Sequence, residues 1–328
     1  MASASAPGKI ILFGEHAVVY GRPALAVPVT QVATEARAEW ATDSAADFEA
    51  EKRMEAGGNW QDSVWIEAPK IGLSASLSAL LARSRPNPLG LTIRNLFEFL
   101  EISNLPALKV TITSTIPVAS GLGSGAAVSV ALIRALAALV QRPLADEQVN
   151  QLAYEIEKLH HGTPSGIDNT VITYAKPVYF VRGEPIQTFQ VAQPFTLVIG
   201  DTGISAPTRE SVGDVRQLWE ADASRWEKVF DQVGEIVRAA KTALESGAWE
   251  ALGPLMDANQ ALLHEMTVSS PELDRLVLAA KAGGALGAKL SGGGRGGNML
   301  ALVAPEAAEK VASALIAAGA KRTIITRV

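Results

Sequence analysis

Three features of the sequence predict an α+β protein built from two lobes. The chain has 328 residues, enough for about two domains at ~100–200 residues each. Apolar residues make up 48% of the chain and charged residues 19%, which is typical of a globular protein with a large core. Strand and helix patterns are mixed before about residue 205 and almost entirely helical after it, until short strands close the chain. We therefore place the lobes at residues 1–190 and 191–328.

The first lobe is predicted to begin with strands. Ile10–Phe13 and Ala24–Val32 are apolar runs on either side of a polar turn, as two strands would be. The stretch Asp43–Trp60 is polar and glycine-containing, which favours a loop or an exposed hairpin, and two prolines in Arg83–Gly90 predict a loop. The rest of this lobe is predicted to hold a helix around Ile93–Leu100, a strand over Leu108–Thr113, helices over Ala126–Val140 and Asp146–His160, and short strands flanking Lys176-Pro177.

The second lobe is predicted to be rich in helix. Phe195–Gly200 is an apolar strand, and the pattern from Thr208 to Ala282 is helical. After it, we expect strands over Leu286–Leu290 and Asn298–Val303, a helix over Pro305–Ala318 and a strand over Arg322–Val328.

Charge and composition exclude several classes of function. The net charge is −5, so an anionic ligand must be held by a local site, and we expect neither nucleic acid nor a membrane as a partner. The chain has no cysteine, which excludes disulfides and thiolate chemistry. Its most apolar stretch, Val128–Val140, is shorter than the ~20 residues of a membrane span, and no signal peptide is evident at the amino terminus. We expect a soluble, cytoplasmic protein.

The segment Pro117–Ala131, PVASGLGSGAAVSVA, predicts a phosphate site. A strand leads into a glycine loop that opens directly into a helix. Gly121, Gly123 and Gly125 allow positive φ and close backbone approach, and the free N–H groups of a helix N-terminus attract polyphosphate. The spacing is not that of a Walker loop. A tight strand-to-helix turn without a ligand is the alternative.

Three further segments carry candidate chemistry. Lys289–Leu302 holds more glycine than a turn needs, which favours close approach of a ligand. Ala6–Gly21 places Lys9 before an apolar strand and Glu15 and His16 after it, and each of these side chains alone is as readily a solvated or structural group. In His160–Asn169, HHGTPSGIDN, a turn precedes Asp168, while Glu157 lies on the preceding helix. Carboxylate oxygens suit Mg²⁺ rather than zinc.

Together these segments resemble the three motifs of the GHMP kinases, the superfamily of galactokinase, homoserine, mevalonate and phosphomevalonate kinases. PGKIILFGEH is similar to the first motif, PVASGLGSGAA to the second and KLSGGGRGGNM to the third. GEHAVVYG, HGTPSGIDN and DTGISAPTRESV resemble the mevalonate kinases most. The resemblance covers essentially the whole chain. It implies the GHMP kinase fold, with a mixed α/β N-terminal lobe and a helix-rich C-terminal lobe that contains a ferredoxin-like sheet.

The resemblance implies a role for each matching residue. Asp168 would be the catalytic carboxylate and Lys9 its partner, while Glu157 and Ser124 would hold Mg²⁺. The residues implied to bind the triphosphate of ATP are Pro117, Ala119, Ser120, Gly121, Leu122, Gly123, Ser124, Gly125, Ala126 and Ala127. Those implied around mevalonate are Glu15, His16, Ser165, Tyr179, Thr208 and Gly293.

Some positions depart from the family's usual pattern. Gly125 stands where a second serine is common, so Ser124 is the only hydroxyl at that turn, and Arg295 and Asn298 interrupt the third motif. The implied activity is transfer of phosphate from ATP to the primary hydroxyl of mevalonate. The alternatives are a mevalonate 3-kinase, a phosphomevalonate kinase, a mevalonate-pathway decarboxylase, a homoserine-type kinase and a non-catalytic nucleotide-binding regulator. Assembly as a homodimer is left open.

Overall fold

The computed structural model describes residues 1–41, 60–84, 87–117, 120–161, 164–185, 187–205 and 208–328. The strands are β1 (Ala2–Phe13), β2 (Ala24–Trp40), β3 (Val64–Ala68), β4 (Leu73–Ser76), β5 (Leu108–Ser114), β6 (Val178–Phe180), β7 (Gln187–Thr188), β8 (Thr196–Asp201), β9 (Gly287–Ser291), β10 (Asn298–Val303) and β11 (Arg322–Arg327). The α-helices are α1 (Leu77–Leu81), α2 (Pro88–Phe99), α3 (Ser124–Leu139), α4 (Asp146–His161), α5 (Ile167–Tyr174), α6 (Thr208–Ala221), α7 (Ala223–Ser246), α8 (Leu252–Glu265), α9 (Pro271–Gly283) and α10 (Ala308–Ala317).

The N-terminal sheet is mixed and has seven strands. Its order is β4-β3-β5-β2-β6-β7, and β1 pairs with β2 off this path. The long strand β2 joins β1, β5 and β6, all antiparallel, whereas β3 runs parallel to β5. The β1–β2 register shifts between Pro7 and Gly8, and such an irregularity re-aims the side chains that follow it. Lys9 is the first side chain beyond this shift.

Helix α3 forms the centre of the N-terminal lobe. Eleven of its residues are buried, on all sides of the helix, as expected for an apolar helix enclosed by other elements. It packs against β1 and β2 on one side and against α2 and α4 on the other. Because the body of the helix is fixed by this packing, the loop before Ser124 has a rigid support. None of the helices in the described ranges is long and apolar enough to cross a bilayer.

The C-terminal sheet has four antiparallel strands in the order β11-β8-β10-β9. This is the strand order of a ferredoxin-like sheet, as the resemblance implied. Its edge strand β9 is covered by α8, where Asp257 Oδ1 accepts the Ala288 N–H at 3.2 Å and Gln260 Oε1 accepts the Leu290 N–H at 2.8 Å. These bonds saturate an edge that would otherwise be open to pairing.

The structure corrects four of the predicted elements. Strand β1 begins at Ala2 rather than at Ile10, and α2 begins at Pro88, inside the predicted loop Arg83–Gly90. Strand β2 continues beyond Val32 to Trp40, because small side chains such as Ala36 face the core while Glu35 and Arg37 face solvent. A strand was predicted before Lys176, but helix α5 is found there. Its residues Val171 and Ile172 suit a strand by propensity, and burial in the core selects the helix instead. The predicted loop over Asp43–Trp60 lies outside the described residues except for Trp60, which begins a 3-10 helix.

Candidate active site

Lys9 connects three of the motif segments. Its N–H donates to the Leu122 carbonyl at 3.0 Å, and its side chain passes along Gly123, where a methyl group would lie 3.0 Å from Lys9 Cγ. Its Nζ lies 2.9 Å from Asp168 Oδ1. Lys9 is 4% exposed, so its charge is directed into the protein and to Asp168 rather than to solvent.

Asp168 lies in the first turn of α5, and the residues just before it fix the start of that helix. Gly166 precedes the helix with φ 91°, a conformation that suits glycine, and the Ser165 hydroxyl accepts the Ile167 N–H at 3.3 Å. The Phe180 ring closes the other side of Gly166. The Asp168 side chain remains 33% exposed, so one side of the carboxylate is open to a ligand.

Glu157 lies on α4, where it faces both Asp168 and the start of α3. A methyl group at Gly125 would lie 3.5 Å from Glu157 Oε1. Burial, and next the charge of Asp168, raise the pKa of Glu157 to about 7 against the opposing charge of Lys9. The two carboxylates are therefore close enough to repel each other, and a cation between them would relieve that repulsion.

The glycine loop ends at the N-terminus of α3. Gly121 and Gly123 have φ of 78° and 74°, so positive φ is confirmed at both, whereas the prediction was wrong for Gly125, which lies within the first helical turn. The N-cap is Gly123, whose lack of a side chain leaves the N–H groups of the first turn without a side-chain acceptor. Ser124 begins the helix and is partly exposed. Of the implied phosphate-binding residues, Ala119 lies outside the described part of the chain.

His16, Gly293 and Thr208 meet on the other side of the site. The His16 ring donates from Nε2 to the Gly293 carbonyl at 3.1 Å, and a methyl group at Gly293 would lie 2.9 Å from Thr208 Oγ1. Burial lowers the pKa of His16 to about 4, so the ring is neutral at pH 7 and the tautomer with hydrogen on Nε2 fits this contact. His16 Nδ1 is then a buried acceptor that has no partner among the described residues.

The ion pair between Glu15 and Lys289 was not predicted from the sequence, although Lys289 lies within an otherwise uncharged strand. Lys289 is 0% exposed and Glu15 1%, and Lys289 Nζ also donates to the Leu290 carbonyl at 2.7 Å. Burial raises the pKa of Glu15 and lowers that of Lys289, and the attraction between them opposes both shifts. Glu15 was expected beside the substrate. That role stays a prediction, and the structure places the carboxylate in a buried ion pair with Lys289, in the loop that carries His16.

The place of Tyr179 around mevalonate also stays a prediction. Neighbouring side chains of a strand point to opposite faces, and in β6 it is Phe180 that contacts Gly166. The Tyr179 ring instead lies 5.7 Å from Lys241 Nζ of α7. It is directed away from the turn that carries Asp168.

The two unusual residues of the third motif each contact another element. Arg295, which has φ 59°, forms an ion pair with Asp214 of α6. Asn298 Nδ2 donates to the Ser120 carbonyl in the glycine loop before α3. The glycine run between β9 and β10 is therefore joined to the N-terminal lobe at His16 and at Ser120.

Comparison with known proteins gives matches along the chain. The models of the GHMP kinases N-terminal domain and of the GHMP kinases C-terminal domain match residues 89–176 and 240–321. A mevalonate kinase of Thermococcus gammatolerans is 36% identical over 96% of this chain and 93% of its own length. The structure of L. major mevalonate kinase in complex with R-mevalonate superimposes with a TM-score of 0.80 at 29% identity, and covers 100% of this chain and 96% of that one.

A protein of the same fold has been solved with a different substrate. Streptococcus pneumoniae phosphomevalonate kinase, solved with phosphomevalonate and AMPPNP, has a TM-score of 0.79 at 19% identity, and covers 100% of both chains. At that identity the likeness shows the fold alone. The match to a mevalonate kinase at 36% identity, over nearly the full length of both chains, distinguishes among the branches of the GHMP kinase family. The chain belongs to the GHMP kinase family and, within it, to the mevalonate kinases.

Proposed function

We propose that this protein transfers the γ-phosphate of ATP to the primary hydroxyl of mevalonate, giving 5-phosphomevalonate for isoprenoid biosynthesis. The observation that carries the proposal is the position of Lys9, which lies against Gly123 of the glycine loop and 2.9 Å from Asp168. A phosphate in the loop and an acceptor hydroxyl at Asp168 would thus share one cation. The full-length relationship to mevalonate kinases supports the choice of substrate.

The triphosphate of ATP would bind at the loop from Ser120 to Ser124 and the first turn of α3. The uncapped N–H groups and the positive end of the helix dipole attract phosphate oxygens. The two positive-φ glycines let the backbone approach closely, since any side chain at Gly123 would collide with Ile172 and Lys9. The negative net charge of the chain makes such a local site necessary.

The side chains present fit Mg²⁺. The described residues include no group of three or more metal-binding His, Cys, Asp or Glu side chains. Mg²⁺ in kinases is held by one or two carboxylates together with substrate phosphates, so Glu157 and the hydroxyl of Ser124 at the start of α3 would be a sufficient protein contribution. When bound, the ion would neutralise charge on the β- and γ-phosphates.

Asp168 and Lys9 would carry the transfer. The substrate oxygen forms a bond to the γ-phosphorus as the bond to the bridging oxygen breaks, and ADP leaves with that electron pair. Asp168 accepts the hydroxyl proton late, because an alcohol is too weak an acid to be deprotonated beforehand by a carboxylate. Lys9 orients the carboxylate and offsets negative charge on the transferring group.

His16 and Thr208 would bind the remaining polar groups of mevalonate. His16 Nδ1 is a buried acceptor without a partner among the described residues, and Thr208 Oγ1 lies beside Gly293, whose carbonyl accepts from His16 Nε2. A phosphorylated substrate would need spare basic groups here. Arg22 is bonded to Glu227 and Asp231, and Arg295 pairs with Asp214, which leaves Arg209 as the remaining arginine beside Thr208. The full-length relationship to mevalonate kinases favours the unphosphorylated substrate.

The test is an ADP-release assay against mevalonate, phosphomevalonate, homoserine and galactose, with NMR of the phosphorylated carbon. We expect mevalonate to be the preferred acceptor and its primary carbon to carry the phosphate. Phosphate on the tertiary oxygen would identify a 3-kinase, and release of CO₂ a decarboxylase. Binding of ATP without turnover of any acceptor would identify a non-catalytic regulator.

Removing the proposed Mg²⁺ contacts should raise the metal requirement. We expect Glu157→Gln to increase the Mg²⁺ concentration for half-maximal rate several-fold, with a smaller increase for Ser124→Ala, because a carboxylate is the stronger ligand. The measurement is a metal titration at saturating ATP and mevalonate. Glu155→Gln, two residues away in an exposed ion pair with Lys158, is the control. If the curves of both variants coincide with the parent curve, neither residue holds the ion.

His16→Ala should weaken mevalonate binding more than ATP binding. Truncation leaves a polar group of the substrate without its partner, which corresponds to about tenfold or more in KM. Both Michaelis constants and the melting temperature should be measured together. An equal rise in the two constants, with a lower melting temperature, would show that His16 only packs the loop against Gly293.

A further inference from the structure

Asn298 reaches from the C-terminal sheet into the loop that precedes α3. It is the first residue of β10, and its Nδ2 donates to the Ser120 carbonyl. Asn298 is 2% exposed, and a methyl group at Gly121 would lie 3.5 Å from its Nδ2. The amide is therefore enclosed between the two lobes and in contact with the peptide that joins Ser120 to Gly121.

This contact fixes the orientation of that peptide. In a trans peptide the carbonyl and the N–H point in opposite directions, so a Ser120 carbonyl that faces Asn298 directs the Gly121 N–H away from it. Gly121 has φ 78° and is exposed, so this N–H lies on the open side of the loop. Two residues further along, the Leu122 carbonyl likewise accepts a hydrogen bond, from the Lys9 N–H at 3.0 Å.

Two successive anchors thus align the N–H groups of Gly121 and Gly123. One comes from β1 and is a backbone bond, which any residue but proline could make at position 9. The other comes from a side chain of the opposite lobe. Asn298 Oδ1 is a buried acceptor without a partner among the described residues, so what asparagine adds here over an apolar side chain is its donor to Ser120.

We propose that Asn298 is a positioning residue for the triphosphate of ATP, through which the C-terminal lobe sets the orientation of the Ser120–Gly121 peptide. The proposal rests on the function proposed above, since it requires that this loop bind phosphate. It assigns to the third motif a part in nucleotide binding that is separate from the contact between Gly293 and His16. Without the anchor, the Ser120–Gly121 peptide is free to rotate, and a rotated peptide presents a carbonyl oxygen to the phosphates.

The test compares Asn298→Ala and Asn298→Asp with the parent enzyme. We expect Asn298→Ala to raise the Kd and the KM for ATP about 5–10-fold, the scale of one lost hydrogen bond, and to leave the KM for mevalonate within twofold. Asn298→Asp should raise the Kd and the KM for ATP further. A carboxylate cannot donate to the Ser120 carbonyl, and it repels both that carbonyl and the phosphates. Inhibition by inorganic tripolyphosphate should weaken by the same factor, and inhibition by adenosine should not change.

Thr326→Val is the matched control. The buried hydroxyl of Thr326 in β11 bonds the exposed Gln31 of β2, so this variant also removes a side-chain bond between the two sheets, but away from the glycine loop. We expect a lower melting temperature and an unchanged KM for ATP. The proposal is overturned if Asn298→Ala binds ATP and tripolyphosphate as the parent does, or if it raises both Michaelis constants equally. The Kd for ATP is measured without an acceptor alcohol. If the parent enzyme turns out to prefer an alcohol other than mevalonate, the substrate assignment fails, but this test of Asn298 remains valid.

Discussion

Asp168→Asn is expected to lower turnover by about 10²–10⁴-fold, the range for loss of a general base, and to leave ATP binding nearly unchanged. Asparagine has the same shape but cannot accept the hydroxyl proton as a carboxylate does. It also loses the charge that orients Lys9, whose Nζ lies 2.9 Å from Asp168 Oδ1. The measurements are single-turnover rates at saturating ATP and mevalonate, together with the Kd for ATP.

The control for this variant is Asp146→Asn. Asp146 is also in the first turn of a helix and pairs with a cation, since Arg134 Nη2 lies 2.6 Å from its Oδ1. It is 50% exposed, and its partner Arg134 lies ten residues along α3 from Ser124, about 15 Å from the glycine loop, so we expect turnover close to the parent value. If Asp168→Asn also retained the parent turnover, the carboxylate would have no part in the mechanism and the proposal would have to rest on Lys9 alone.

The spacing of apolar residues predicted those helices and strands whose sequence pattern is set by burial in the core. Strand β10 was predicted with its observed bounds because all of its residues, Asn298–Val303, are buried, and α4 differs from its prediction by one residue. The prediction failed where long-range packing overrides a local signal. Residues 167–174 resemble a strand by their β-branched side chains, and the glycine at 166 and the core contacts of Val171 produce a helix instead.

The site could be predicted only in part, because its residues are far apart in the sequence. The resemblance implied roles for Lys9, Asp168 and His16, and the structure brings Lys9 and Asp168 together across 159 positions. Contacts between side chains of different lobes leave no periodic signal. For this reason the pair of Glu15 with Lys289, 274 residues apart, and the bond from Asn298 to Ser120 became visible only in three dimensions.

Lys289→Met is expected to destabilise the protein by about 3–5 kcal/mol, the cost of leaving one member of a buried ion pair without its partner. Both side chains are essentially inaccessible, so water cannot replace the lost contact. The measurement is urea unfolding at pH 7. Lys281→Met is the control, since Lys281 pairs with Asp257 while 42% exposed, and exposed pairs contribute only about 0–1 kcal/mol. A loss no larger than that of the control would show that Lys289 acts only by packing.

The pH dependence of Lys289→Met separates charge from packing. Burial already raises the pKa of Glu15 above its usual 4.5, and loss of the lysine removes the attraction that opposes this shift. The folded variant then keeps the Glu15 proton to higher pH than the unfolded chain does, so its stability falls as pH rises above about 4.5. In Glu15→Gln/Lys289→Met nothing titrates at this position, and the additional loss between pH 5 and 8 should vanish. A deficit that stays constant over this interval in the single variant would mean that Glu15 finds another cation or water.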